Sequence, residues 1–185
     1  MRKGAATEIV ARRLGVEPGR AAGLVQAASD SGLLPKARGR DIPDLSTAEL
    51  AILFIAITAD RGLGAAASSV RAFASLTDDK GTDLHSALTS LLGHGPALAG
   101  AANGSLIVRL DPASASLTAG GHHRRFGPVP APGAAGKHVV VPGQALAAIG
   151  LELQGHSPEE ADALVALARV SASASVGLAM HPVPE

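Results

Sequence analysis

The sequence predicts a mostly helical α+β protein, in which N-terminal helices are followed by a small β-containing C-terminal domain. Hydrophobic residues make up 46% of the 185 residues and recur at helical spacing through the first half. Short alternating runs, which are typical of strands, appear after about residue 104. Cys, Trp and Tyr are absent, so Ala, Leu, Val and Ile must form the core and no disulfide or thiolate chemistry is available.

Residues 7–35 predict two helices joined by a tight turn. The apolar face of the first helix consists of Ile9, Val10 and Leu14. Gly15 can end this helix in a left-handed conformation, and Pro18 suits the first turn of the next one. The buried stripe of the second helix is formed by Ala21, Leu24, Val25 and Ala28. Gly32 is expected to cap its C-terminus.

This spacing resembles that of the helix-turn-helix superfamily over about a sixth of the chain. Ala11 stands where the two helices approach closely, and Gly15 stands in the turn. Ala21 departs from the pattern, because such motifs usually carry a larger β-branched residue there. The resemblance implies binding to double-stranded DNA, and the alternative is an ordinary helical hairpin.

Charge separates the first forty residues from the rest. They carry eight basic and three acidic groups, a net charge of +5, whereas residues 41–185 carry a net charge of −5. A basic module of this kind can neutralise phosphates locally. The residues expected to contact DNA are Arg12, Arg13, Arg20, Gln26, Lys36, Arg38 and Arg40. Gln26 is expected on the exposed face of the second helix, where an amide can reach a base edge.

The segment 35–45 contains two Pro residues, one Gly and three basic residues. Lys36, Arg38 and Arg40 alternate, so an extended backbone would direct them to one side. We call this segment the basic arm, because basic arms suit a DNA groove. A flexible interdomain linker is the alternative.

Ser46 and Glu49 have the spacing of a capping box and predict the start of a helix. Residues 50–58 are apolar on every face, so this helix is either the central core helix or an oligomer contact. Ile52 and Ile55 are the residues expected at an interface between copies. A further helix is predicted at about residues 64–76.

The acidic stretch 77–83 is predicted to be a surface turn. A calcium-binding loop would need a Glu at its twelfth position, and no Glu follows until Glu152. A short helix is expected at residues 84–92. Residues 93–104 are predicted to form a loose connection at a domain boundary.

The C-terminal part is predicted to contain three strands and two helices. A hairpin with its turn at Pro112 is followed by a third strand and two helices, the last with a capping box at Ser157 and Glu160. The expected ranges are 106–110, 114–118 and 138–141 for the strands, and 142–153 and 157–168 for the helices. The final residues, 171–185, are expected to form an edge strand or a frayed tail.

Catalytic motifs are not found in the sequence. Gly136 and Lys137 resemble the end of a phosphate-binding loop, but Ala131 and His138 occupy its other required positions. Gly62 and Gly64 follow a helix rather than a strand, which is the wrong context for a dinucleotide site. We therefore expect no enzyme activity, cofactor or metal. The cluster at residues 122–125 (His-His-Arg-Arg) is predicted to be a surface loop, and the alternative is a second basic contact to nucleic acid.

These patterns predict three parts: residues 1–45 with the two-helix unit and the basic arm, 46–95 as a helical core or oligomerisation region, and 104–185 as a small α+β domain. The function expected is that of a sequence-specific DNA-binding protein, such as a bacterial or phage transcriptional regulator acting as a homo-oligomer. The order of parts also resembles phage small terminase subunits. A structural or partner-binding protein without DNA binding is the second alternative. A cytoplasmic location is expected, because the apolar run at 50–59 is too short to cross a membrane.

Overall fold

A computed structural model describes residues 1–36, 43–129, 131 and 135–179. The mostly helical α+β class is confirmed. The helices are α1 (Lys3–Leu14), α2 (Pro18–Asp30), α3 (Thr47–Thr58), α4 (Ala66–Ala74), α5 (Leu84–Gly93), α6 (Gly95–Ala101), α7 (Gly143–Leu153) and α8 (Pro158–Ala179). The strands are β1 (Ser105–Arg109), β2 (Ser114–Ala119), β3 (His122–Phe126) and β4 (His138–Pro142).

The predicted pair of N-terminal helices is confirmed, and α1 is longer than expected. It begins at Lys3 rather than at residue 7, because the fully buried Ala6 extends its apolar face by one turn. Gly15 has a φ of 64°, and the following Val16 N–H donates to the Ala11 carbonyl at 2.9 Å. Gly32 likewise has a positive φ and closes α2.

The helix predicted from the capping box at Ser46 is also confirmed. The Ser46 hydroxyl accepts from the Glu49 N–H, and the Glu49 carboxylate accepts from the Ser46 N–H at 2.7 Å. Helix α3 packs against α1, α2, α4 and α5, so it is the central core helix of this chain. Its predicted interface residues differ in exposure: Ile55 is only 2% exposed in the single chain, whereas Ile52 is half-buried.

The predicted helix at about 64–76 corresponds to α4 and a short 3-10 turn, Leu63–Ala65, and the helix at 84–92 corresponds to α5. The prediction of a loose connection at 93–104 was wrong, because α6 occupies most of it. Pro96 lies in the first turn of α6, where its missing N–H costs nothing. Leu98 and Ala101 are fully buried, and this burial outweighs the low helix propensity of the surrounding glycines. One hydrophobic cluster includes residues from all three predicted parts, so they share a core.

The four strands form one antiparallel sheet in the order β3-β2-β1-β4. The predicted hairpin of β1 and β2 and the third predicted strand, now β4, are confirmed. The surface-loop prediction for residues 122–125 was wrong, because these residues belong to β3. Gly120 and Gly121 have φ values of 56° and 76° and form the tight turn that returns the chain from β2.

Helices α7 and α8 complete the fold, and the predicted capping box at Ser157 and Glu160 is present. Residues 171–179 continue α8, so the expectation of a strand or frayed tail was wrong for them, and residues 180–185 lie outside the described part. Ser and Ala are tolerated in a helix, and the preceding turns already fix the backbone. Within the described ranges, no helix is both long enough and apolar enough to span a membrane.

Candidate nucleic-acid interface

A short connection joins helices α1 and α2. Residues 15–17 join them, and α3 packs behind both helices. Ala21, the position that departs from the usual pattern, is fully buried, so a small side chain is accommodated where α2 meets its neighbours. The exposed residues of α2 are Pro18, Gly19, Ala22, Gln26 and Asp30. Because Gly19 has no side chain and that of Ala22 is a single methyl group, another molecule can approach the helix backbone closely at these two positions.

The N-terminus of α2 is already capped by its own chain. The carboxylate of Glu17 accepts from the N–H groups of Gly19 and Arg20 at 2.8 and 2.6 Å. A phosphate at this end of the helix would meet a negative charge. Any contact with DNA is therefore expected further along α2, near Gln26, whose amide donates to the Asp30 carboxylate at 3.0 Å.

Arg12 and Arg13 both pair with Glu152 of α7. The Nε of Arg13 lies 2.5 Å from the Glu152 carboxylate, and its Nη1 lies 2.6 Å from Asp162 of α8. Glu152 is a buried carboxylate with a side chain only 3% exposed, whereas the side chains of Arg12 and Arg13 are 50% and 16% exposed. Burial alone would lower the pKa of Arg13, but its hydrogen bonds to Asp162 and Glu152 raise it above its usual value.

Arg20 pairs with Asp60, which follows the C-terminal end of α3. The Nε and Nη2 of Arg20 donate to the two carboxylate oxygens at 2.8 and 2.7 Å. The hydrogen bonds from Arg20 lower the pKa of Asp60, and a bond from the Gly62 N–H adds to this effect, while burial opposes it. Arg20 therefore ties α2 to α3.

The basic arm begins and ends beside α1. The Nζ of Lys3 donates to the carbonyl oxygen of Pro35 at 3.0 Å, and the Leu45 N–H donates to the Met1 carbonyl at 2.8 Å. Lys36 lies 3.6 Å from Asp30 and is exposed. Arg38 and Arg40 lie outside the described residues, so their role stays a sequence-based prediction.

The ion pairs reduce the difference in charge between the first forty residues and the rest of the chain. Glu152, Asp162 and Asp60 all belong to the acidic remainder, and they pair with the predicted DNA-binding arginines. Part of the net charge of +5 is therefore neutralised within the chain. Within the described residues, Arg2 and Arg61 are exposed and make no ion pair.

Sequence reasoning missed the carboxylate partners. Glu152 is the single charged residue of α7, and an isolated charge in an apolar helix was the signal that could have indicated a buried ion pair. Its partners could not be found from spacing, because they lie 139 and 140 residues away.

The two arginines of the 122–125 segment in β3 have different surroundings. Arg124 pairs with Asp78 of the 77–83 turn, whereas Arg125 is exposed and makes no ion pair within the described residues. The turn itself was predicted, but Asp78 is buried in it. Among the described residues, no group of three or more His, Asp or Glu side chains could hold a metal ion.

Comparison of this chain with protein-family models, with curated proteins and with solved structures found no match. The function is therefore inferred from the geometry of the chain itself.

Proposed function

We propose that this chain binds double-stranded DNA through the exposed side of α2 and the adjoining basic arm, as a transcriptional regulator would. The observation that supports this proposal is the α1–α2 unit itself, with its three-residue turn and α3 packed behind it. The small side chains on the exposed side of α2 allow close approach to a groove.

We propose different roles for the predicted contact residues on the basis of their ion pairs. Gln26 is the base-reading candidate, since its amide is exposed and can exchange its bond to Asp30 for a base edge. Lys36, Arg38 and Arg40 are the phosphate-contact candidates of the basic arm. Arg12, Arg13 and Arg20 act mainly by holding α1 and α2 against α7, α8 and the end of α3.

A binding titration of three variants at two salt concentrations tests this assignment. Replacing Lys36, Arg38 and Arg40 together with Ala is expected to weaken binding to all sequences and to reduce the slope of log affinity against log salt by up to about 2.7, or about 0.9 for each phosphate contact. Gln26→Ala is expected to reduce discrimination between sequences by about 1–3 kcal/mol, with little change in the slope.

The matched control is Arg125→Ala, which removes an exposed cation from β3, outside the α1–α2 unit. It should leave affinity and salt dependence unchanged. If the variant with Lys36, Arg38 and Arg40 replaced bound DNA like the wild type, the proposal would be contradicted. The alternative of a partner-binding protein without DNA binding would then be favoured.

We infer further that the chain acts as a homo-oligomer, because one helix-turn-helix unit reads few base pairs and specificity usually requires two copies. Helix α8 offers a surface for this contact. Its buried residues Ala161 and Val165 form a narrow stripe, while Leu164, Leu167 and Val170 are 40%, 63% and 67% exposed. Helix α3, by contrast, is covered by its own chain.

Sedimentation of two variants tests whether α8 or α3 forms the contact between copies. Leu167→Asp with Val170→Asp should yield folded monomers, because both side chains are exposed in the single chain and a charge there would only disfavour a contact between copies. Ile55→Asp should instead unfold the chain, since it buries an unpaired charge in the core. A wild type that sediments as a monomer at micromolar concentration would contradict the oligomer proposal.

A further inference from the structure

A cleft of about 1180 Å³ lies between α5, the start of α6, the 77–83 turn and the strands β2 and β3. Its apolar wall is formed by Ala87, Leu91, Ala97, Leu117 and Ala119. Small-molecule sites typically enclose about 300–1,000 Å³ and combine an apolar lining with a few convergent polar groups. None of the residues that line this cleft comes from α1, α2 or the basic arm, so it is separate from the proposed DNA interface.

The polar groups of this cleft are mainly basic side chains and hydroxyl groups. The basic residues that line it are Lys80, His94, His122, His123 and Arg124. Among its described lining residues, Asp79 is the only acidic one. The hydroxyl groups of Thr47, Thr82, Thr89 and Ser90 add further hydrogen-bonding capacity. This composition favours an anion that carries several oxygen acceptors.

One carboxylate, that of Asp78, bonds both the guanidinium of Arg124 and the backbone of Lys80. The Nε and Nη2 of Arg124 donate to a single oxygen of Asp78 at 2.9 and 2.7 Å, and the backbone N–H of Lys80 donates to the other oxygen at 3.0 Å. The guanidinium of Arg124 also lies 5.2 Å from the ring centre of Phe126. Asp78 has no exposed side-chain surface.

Asp78 stays ionised in this arrangement. Burial, the largest single effect, raises its pKa, but the hydrogen bonds from Arg124, Thr82 and Lys80 together lower it below its usual value. Arg124 and the backbone of Lys80 are thus fixed before any ligand arrives, which reduces the ordering cost of binding.

We propose that this cleft binds a small phosphorylated organic molecule. The phosphate lies against Lys80 and His122, which are exposed, and Arg124, whose charge Asp78 already neutralises, adds only its remaining N–H donors. The organic part lies on the apolar wall near Leu91 and Leu117. Lys and Arg both donate charge-assisted hydrogen bonds to phosphate oxygens, and an imidazole N–H adds another donor. The group recognised is the phosphate, which a small molecule and a nucleic-acid backbone both carry.

Titration of the full chain with AMP, ADP, inorganic phosphate and citrate tests this proposal by calorimetry and by thermal unfolding. AMP or ADP should bind and raise the unfolding temperature, inorganic phosphate should bind more weakly because it lacks the organic part, and citrate should bind weakly. Lys80→Ala and His122→Ala should each reduce affinity for the nucleotide about tenfold or more, the loss expected for a charge-assisted hydrogen bond. Both side chains are exposed, so these variants should keep the wild-type unfolding temperature without ligand.

Arg125→Ala is the matched control, because Arg125 is an exposed cation on the same strand and does not line the cleft. It should bind the nucleotide like the wild type. An equal loss in the Arg125 variant, equal binding of citrate, or no binding of either nucleotide would overturn the proposal. A duplex DNA titration is the last arm: Lys80→Ala and His122→Ala should leave DNA affinity unchanged, and a loss there would identify the phosphate source as nucleic acid instead.

Discussion

Replacing Arg12 and Arg13 together with Ala is expected to lower the free energy of unfolding by about 3–5 kcal/mol, because Glu152 would be left buried without a cationic partner. Urea denaturation measures this loss directly. For a chain of this size, the unfolding temperature should fall by on the order of 10 °C. The effect should exceed that of Arg20→Ala, since Asp60 is more exposed than Glu152 and can regain water.

Glu152→Leu in the same background is the control for this prediction. Removing the buried carboxylate should restore most of the lost stability, because neither an unpaired charge nor an empty space of comparable size remains. A double Arg variant as stable as the wild type would show that Glu152 does not depend on these arginines. Since the double variant is expected to be unstable, its DNA binding alone cannot assign a contact role to Arg12 or Arg13.

Gly143→Ala is expected to destabilise the chain by about 3 kcal/mol or more, the upper end for overpacking a core. A Cβ atom at this first residue of α7 would lie 2.0 Å from the carbonyl oxygen of Ala101 and 2.6 Å from that of Gly104. Both obstacles are backbone atoms, and the Gly143 N–H also donates to the Gly104 carbonyl at 2.8 Å. The start of α7 would therefore have to move away from the end of α6.

Gly4→Ala is the matched substitution in α1. A Cβ there meets no atom within 4 Å, so the change should stabilise the chain by about 0.5–1 kcal/mol through higher helix propensity. Thermal unfolding of the two variants side by side tests both expectations. Equal stability of the Gly143 and Gly4 variants would show that α7 can shift at little cost.

Local signals in the sequence predicted many of the element boundaries. Gly15 and Gly32 ended their helices as expected, and the capping boxes at Ser46 and Ser157 marked true helix starts. These signals act between residues a few positions apart, so the sequence displays them directly.

The errors arose where long-range packing outweighed local preference. The glycines around α6 suggested a loop, but burial of Leu98 against the core made the segment helical. Strand β3 was missed because its exposed, basic residues lack an apolar alternation, and pairing with β2 determines its conformation.

The candidate interface was predicted only in part for the same reason. The α1–α2 unit could be read from spacing, whereas the partners of its arginines lie in distant elements. A basic residue in a sequence shows its charge but not whether that charge is already neutralised.

The contact between α1 and α7 also determines when α1 can complete its packing during synthesis. Arg12 and Glu152 are 140 residues apart, so α1 acquires this partner only after α7 has also emerged from the ribosome. Closing so long a loop costs conformational entropy before the contact returns any stability, which slows folding. Until α7 has emerged, the side of α1 that packs against it in the folded chain is exposed to water.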